Sequence, residues 1–167
     1  MSETLTETLW NQFGGALQML ENAIQACPEE VWGHEIQPQE FWYISYHTLF
    51  WLDYYSSESS EGFLPPQPFT LGELERDVWP DRVYSKLELL TYLEFGRAKG
   101  RALIRGLTPE KQGQRFINAF KNFSLLELVI YNTRHLQHHA AQLNLLLRQR
   151  TNSTPGWASL PKQGLYD

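Results

Sequence analysis

Three of the five histidines in this chain of 167 residues fall in one stretch, Asn132-Thr133-Arg134-His135-Leu136-Gln137-His138-His139-Ala140-Ala141-Gln142. The surrounding sequence, from about Phe123 to Arg150, has no Gly or Pro and is rich in Leu, Gln and Arg, so it predicts one long helix. His135 and His139 are spaced i, i+4 and project from one face a turn apart, where two imidazoles can share a metal ion. Leu125, Val129, Leu136, Leu143 and Leu147 form the apolar stripe of this helix. Measured from Leu136, His139 lies roughly 60° and His135 roughly 100° to the same side, whereas His138 lies about 160° away on the wetter side. Asn132 and Gln142 extend the polar line through the two histidines. Buried polar groups need partners, and a metal would supply one.

A third ligand must come from elsewhere. The segment from about Pro38 to Tyr55 predicts a helix, and its Phe41–Leu52 body is almost wholly apolar or aromatic. His47 is the only basic residue there. Tyr43, Ile44, Phe50, Trp51 and Tyr54 are its helical neighbours, so it points inward. Alone, such a histidine is more often a hydrogen-bonded core residue than a ligand; beside His135 and His139 it is the natural third ligand. Three neutral imidazoles suit Zn²⁺ or Ni²⁺ and leave a coordination position open. An ion there would lower the pKa of a water or a thiol and so supply a nucleophile near neutral pH. Tyr43, Trp51 and Tyr54 are placed to wall the pocket, and Asn132 and Gln142 to orient its ligands. No carboxylate stands out as a general base. Asp53, six residues past His47, is the nearest and a weak one. Thiol transfer and hydrolysis therefore both stay open, and no catalytic residue is assigned.

The elements that must position these side chains follow from periodicity and punctuation. Leu5, Leu9, Phe13, Leu17, Leu20 and Ile24 predict a helix over 3–26, in which Gly14-Gly15 allows close packing. Pro28-Glu29-Glu30 opens a short turn through Trp32, and 33–38 is a loop with a surface His34. Residues 56–83 are a long connection in which Thr70-Leu71-Gly72-Glu73 resembles a capping box opening a short helix towards Val78. Phe63, Phe69 and Trp79 either anchor this crossover or line a pocket mouth. A helix from Ser85 to Leu107 opens on a Ser85/Glu88 capping box. Residues 108–122 form a mixed connection with a turn at Pro109-Glu110. The tail, about 151–167, is irregular, and Trp157 and Tyr166 give it the means to dock.

Composition bounds the rest. The length suits a single domain over 1–167. Hydrophobic content of 42% and charge of 20% are ordinary for a soluble globular protein. A net charge of −5 argues against nucleic acid as a partner. The absence of a long apolar run or a leader pattern leads to an expectation of a cytoplasmic protein with no membrane attachment. The single cysteine, Cys27, excludes an internal disulfide and reads as structural.

Nearly the whole chain resembles the DinB-like (YfiT-like) superfamily of metal-dependent proteins. The likeness lies in the first helix ending in Cys27-Pro28-Glu29-Glu30-Val31-Trp32, in an inward His47 on the second long helix, and in His135-x-x-x-His139 followed by Ala141-Gln142. The family more often has Gly-Gln at that last position. The resemblance implies an all-α four-helix bundle with up-down-down-up connections, frequent homodimers, and a metal triad of His47, His135 and His139. Some members transfer low-molecular-weight thiols such as bacillithiol, mycothiol or glutathione, or isomerise small acids with them. The expectation is thus a metal-dependent enzyme, a thiol transferase or hydrolase, acting on a small molecule. The alternative is a non-catalytic dimeric stress-response or interaction bundle with an empty histidine cluster.

Overall fold

The computed structural model describes residues 4–167. The chain is mostly helical: α1 (Leu5–Ala26), α2 (Glu29–Trp32), α3 (Phe41–Tyr55), a 3₁₀ turn (Leu71–Leu74), α4 (Lys86–Arg105), α5 (Pro109–Gln112), and α6 (Leu125–Thr151). Two short strands, β1 (Arg115–Ile117) and β2 (Asn122–Ser124), pair antiparallel before α6. Among the described residues, no helix is long and apolar enough to cross a membrane.

The helix ends are set by local chemistry. Thr4 caps α1 in a capping box with Glu7, and Ser85 caps α4 in the expected box with Glu88. Ser124 caps α6, and Asn152 closes it in the left-handed conformation that Asn tolerates. Two boundaries differ from expectation. Pro38 lies in a turn ahead of α3, which starts only at Phe41 because Glu40 keeps an extended backbone. Phe123 belongs to β2, pairing with Phe116, and α6 begins after it.

Packing joins the four long helices in a ring. α1 lies against α4 and α6, and α3 lies against the same two, so α1 and α3 stand across from one another. α3 is buried almost all round, with Trp42, Leu49, Phe50 and Leu52 fully so, as its continuous apolar sequence requires. Asp53 is also fully buried. Its carboxylate takes Lys99 Nζ at 2.5 Å and the Tyr92 hydroxyl at 3.0 Å, which locks α3 to α4. Burial pushes its pKa up, against the lowering effects of Lys99 and Tyr92. Asp53 is therefore engaged on the α4 side.

The connection between α3 and α4 is an aromatic-anchored crossover. Phe63 packs on Phe50 and Tyr54, and Phe69 stacks on Tyr92 with ring centroids 4.1 Å apart. Both are buried, so of the three aromatics considered for a pocket mouth only Trp79 is exposed, and it packs on Tyr43 at 5.2 Å. The hairpin in 115–124 was not foreseen as strand. It buries Phe116 completely, against Tyr54 and Tyr55.

The tail docks on α1. Trp10 Nε1 donates to the Gln163 carbonyl at 2.9 Å, and Leu165 is buried. Gly14 and Gly15 make room for it: a Cβ on Gly14 would stand 2.7 Å from Pro161 Cβ, and one on Gly15 would stand 3.3 Å from the Ser159 carbonyl oxygen. Cys27 is buried, and burial pushes its thiol up to about 12, which keeps it protonated and unreactive. Gly14→Ala should therefore cost roughly 1–2 kcal/mol of stability by overpacking against the tail. Denaturant unfolding gives the loss, and limited proteolysis should show residues 155–167 cut faster; an unchanged digestion pattern would contradict tail docking at this glycine.

Candidate metal centre

α6 carries His135 and His139 on the flank that meets α3, and α3 carries His47 on the flank that meets α6. The ring centroids lie 4.5 Å apart for His135–His139, 4.9 Å for His47–His139 and 5.5 Å for His47–His135. One nitrogen from each ring lies within 4.8 Å of the other two, so the three residues could hold a metal ion. His138, one residue from His139, is exposed and turned outward, as is His34.

Hydrogen bonds define which nitrogens are free. His47 Nδ1 lies 2.7 Å from Glu73 Oε2 and donates to it. His139 Nδ1 lies 2.6 Å from Gln142 Oε1 and donates to it. Each ring therefore keeps its bare Nε2 for the centre. His139 Nε2 then faces His135 Nε2 at 3.1 Å, and His135 Nδ1 is buried without a hydrogen-bond partner. Whichever nitrogen of His135 carries the proton, one ring atom is left poorly satisfied. Two nitrogens on a tetrahedral zinc, each about 2.0–2.1 Å from it, stand roughly 3.3 Å apart. The His135–His139 separation is close to that edge, so the donor set fits a divalent ion.

The two α6 rings are held neutral, as ligands must be. Burial, and secondarily the neighbouring imidazoles, push His135 down to about 3. Burial is also the main cause of the shift that takes His139 down to about 4, partly offset by its bond to Gln142.

Glu73 is the functional residue that sequence reasoning missed. Its side chain is 5% exposed, and it accepts from His47 with one oxygen and from the Tyr43 hydroxyl, at 2.5 Å, with the other. The expected capping box at Thr70 does not form because this carboxylate is spent on α3. Thr70 Oγ1 alone caps the turn, which stops at Leu74 well short of Val78. Tyr43 is held protonated, first by burial and then by Glu73, so it acts as a donor. The only signal in the sequence was an acidic residue in a long connection, with nothing to say which helix it would face.

The remaining candidates divide. Tyr43 and Gln142 stand beside the imidazoles and line a groove that opens from His47 and His139. Trp51 packs edge-on against His47 at 6.2 Å. Tyr54 is buried among Phe63 and Phe116, with its hydroxyl accepting from Asn118. Asn132 donates to the Leu52 carbonyl at 3.3 Å and reaches Ser56 Oγ at 3.5 Å, joining α6 to the end of α3.

A mostly helical chain with three imidazoles converging between α3 and α6 is the class of protein this fold and site define. The family model described as the DinB superfamily matches residues 12–143, and the chain belongs to that superfamily. Compared with curated proteins and with solved structures, the chain finds no match in either.

Two predictions follow from the site's electrostatics and hydrogen bonding. In the unfolded chain His135 and His139 protonate as pH falls through roughly 6.5, whereas in the native protein they stay neutral down to about 3 and about 4. The unfolded state then binds more protons, so stability of the metal-free protein should fall as pH drops from 7 towards 4 and stay flat above 7. Urea midpoints across that range would show it, and the slope should flatten in His135→Gln. Separately, Glu73→Ala should weaken zinc binding by about 10–100-fold, with Glu73→Gln losing less because it keeps an acceptor. Competition against a chromophoric chelator measures both, and equal affinities in all three proteins would exclude a role for Glu73.

Proposed function

We propose that this DinB-superfamily protein is a metal-dependent enzyme in which His47, His135 and His139 hold a divalent ion, zinc or nickel. The observation that carries this is the convergence of three imidazoles, with Nε2 of His47 and of His139 left free by Nδ1–H bonds to Glu73 and Gln142, beside an open groove. Such an ion supplies a Lewis acid that makes a water or a thiol nucleophilic near neutral pH. The chain's own residues do the rest. Glu73 fixes the tautomer and aim of His47, and Gln142 does the same for His139. Tyr43, held protonated, offers its ring to the groove while its hydroxyl is tied to Glu73. Trp51, against His47, shields the rear of the imidazole from water.

The reaction is of the thiol-transfer or hydrolytic type, with a small molecule as substrate. Among the described residues, Glu73 is the one carboxylate that hydrogen-bonds to the imidazoles. We read the four long helices as the up-down-down-up bundle of the superfamily, with the homodimer common there. The ring order, with α1 and α3 across from one another, supports that topology.

Metal analysis of protein purified without a polyhistidine tag tests the site. One equivalent of zinc or nickel is expected, lost in His139→Ala, and removal by chelator should lower the thermal midpoint. Metal-loaded protein should then turn over either a thiol-transfer pair or a member of an ester and amide panel. No bound metal and a chelator-insensitive midpoint would return the three histidines to a polar cluster in a non-catalytic interaction protein.

A further inference from the structure

The groove that opens from His47 and His139 has a volume of about 460 Å³. Specific small-molecule sites occupy roughly 300–1,000 Å³. Its walls are Pro38, Tyr43 and Ile44 on one side and Leu145 and Leu146 on the other. Leu145 is 55% exposed, an unusual position for a leucine on the polar side of α6. Apart from the imidazoles, the polar groups lining the groove are the uncharged amides of Gln39 and Gln142. Among the described residues, no Lys, Arg, Asp or Glu lines it. Its outer end runs past Gln39 and Leu146 into a depression bearing Glu30, Glu35 and Glu40 against a single Arg150. Away from the imidazole end, an anionic ligand would thus meet no cationic side chain along the groove walls and a surplus of carboxylates at its exit. On the opposite flank, Arg134 borders a separate shallow depression with His135 and His138.

We propose that the groove receives an uncharged aliphatic arm of the substrate and presents the polar group at its end to His47 and His139. The arm would lie between Ile44 and Leu145, where its methylenes leave water, and Gln39 and Gln142 would bond neutral polar atoms along it. This substrate class excludes an arm charged along its length, because a carboxylate between the apolar walls, away from the imidazole end, would be desolvated without a partner. Its role in catalysis depends on the three-histidine metal site proposed above, whereas its capacity to bind does not.

The test uses the full chain, metal-free and zinc-loaded, with the neutral dye Nile red as probe and hexanol, octanol and octanoate as competitors. Octanol should displace the dye at a concentration about tenfold below that of hexanol, from two further methylenes each worth roughly fourfold or somewhat less. On the metal-free protein, where no ion is present to take the carboxylate, octanoate should be weaker than octanol by at least an order of magnitude, and the two are compared in that form. Leu145→Glu, at an exposed position, should keep the circular dichroism spectrum and lose alcohol binding. Octanoate matching octanol, or unchanged binding in Leu145→Glu, would overturn the proposal. So would a wild-type dimer that Leu145→Glu splits into monomers with no dye bound to either, because the groove would then belong to a second copy of the chain. Alcohol binding by protein that takes up no metal would sink the metal site and leave the groove standing; metal uptake without alcohol binding would do the reverse.

Discussion

The site depends on one carboxylate placed between two elements that share no local sequence. Glu73 comes from the crossover, accepts the Nδ1–H of His47 and the hydroxyl of Tyr43, and is almost wholly withdrawn from water. A buried carboxylate is costly unless its lone pairs are used, and here both oxygens are. The bond to His47 leaves a single nitrogen of that ring for the centre. The same bond holds the 3₁₀ turn down on α3. Aim of the ligand and position of the loop are consequences of one interaction.

Around that bond the helices act as a frame. α3 is apolar on every side, so it has to lie inside the protein, and His47 goes in with it. α6 has a narrower apolar stripe, which sets its rotation and leaves His135 and His139 at the edge of the core. The rings are buried enough to be neutral and still reach a groove. A deeper position would close the centre to a substrate; a shallower one would let the rings protonate in mildly acidic water.

The helical frame and the triad were legible because both rest on short-range periodicity. The i, i+4 spacing of His135 and His139 and the apolar run around His47 say which way each side chain points. The caps at Ser85 and Glu88 were legible for the same reason. What was not legible depends on pairing across the fold. Glu73 was read as part of a capping box, and the competing donors on α3 that engage its carboxylate lie 26 and 30 residues away. The strands at 115–117 and 122–124 are three residues each, too short for an alternating pattern to show. Asn132 shared the polar line of the histidines on a helical wheel, yet its amide bonds to the end of α3, a partner no wheel displays.

The crossover between α3 and α4 has a further consequence. Its order comes from side chains, with Phe63, Phe69 and Tyr84 sunk into the core. Its main chain forms few internal bonds, such as Phe69 to Pro66 and Glu75 to Gly72. Amide exchange with solvent deuterium reports main-chain protection, whereas aromatic ring spectra report side-chain packing. The two techniques should therefore describe this stretch in opposite ways, as fast-exchanging by the first and fixed by the second. A segment of this kind can carry a carboxylate such as that of Glu73 at a constant position while its peptide groups remain open to water.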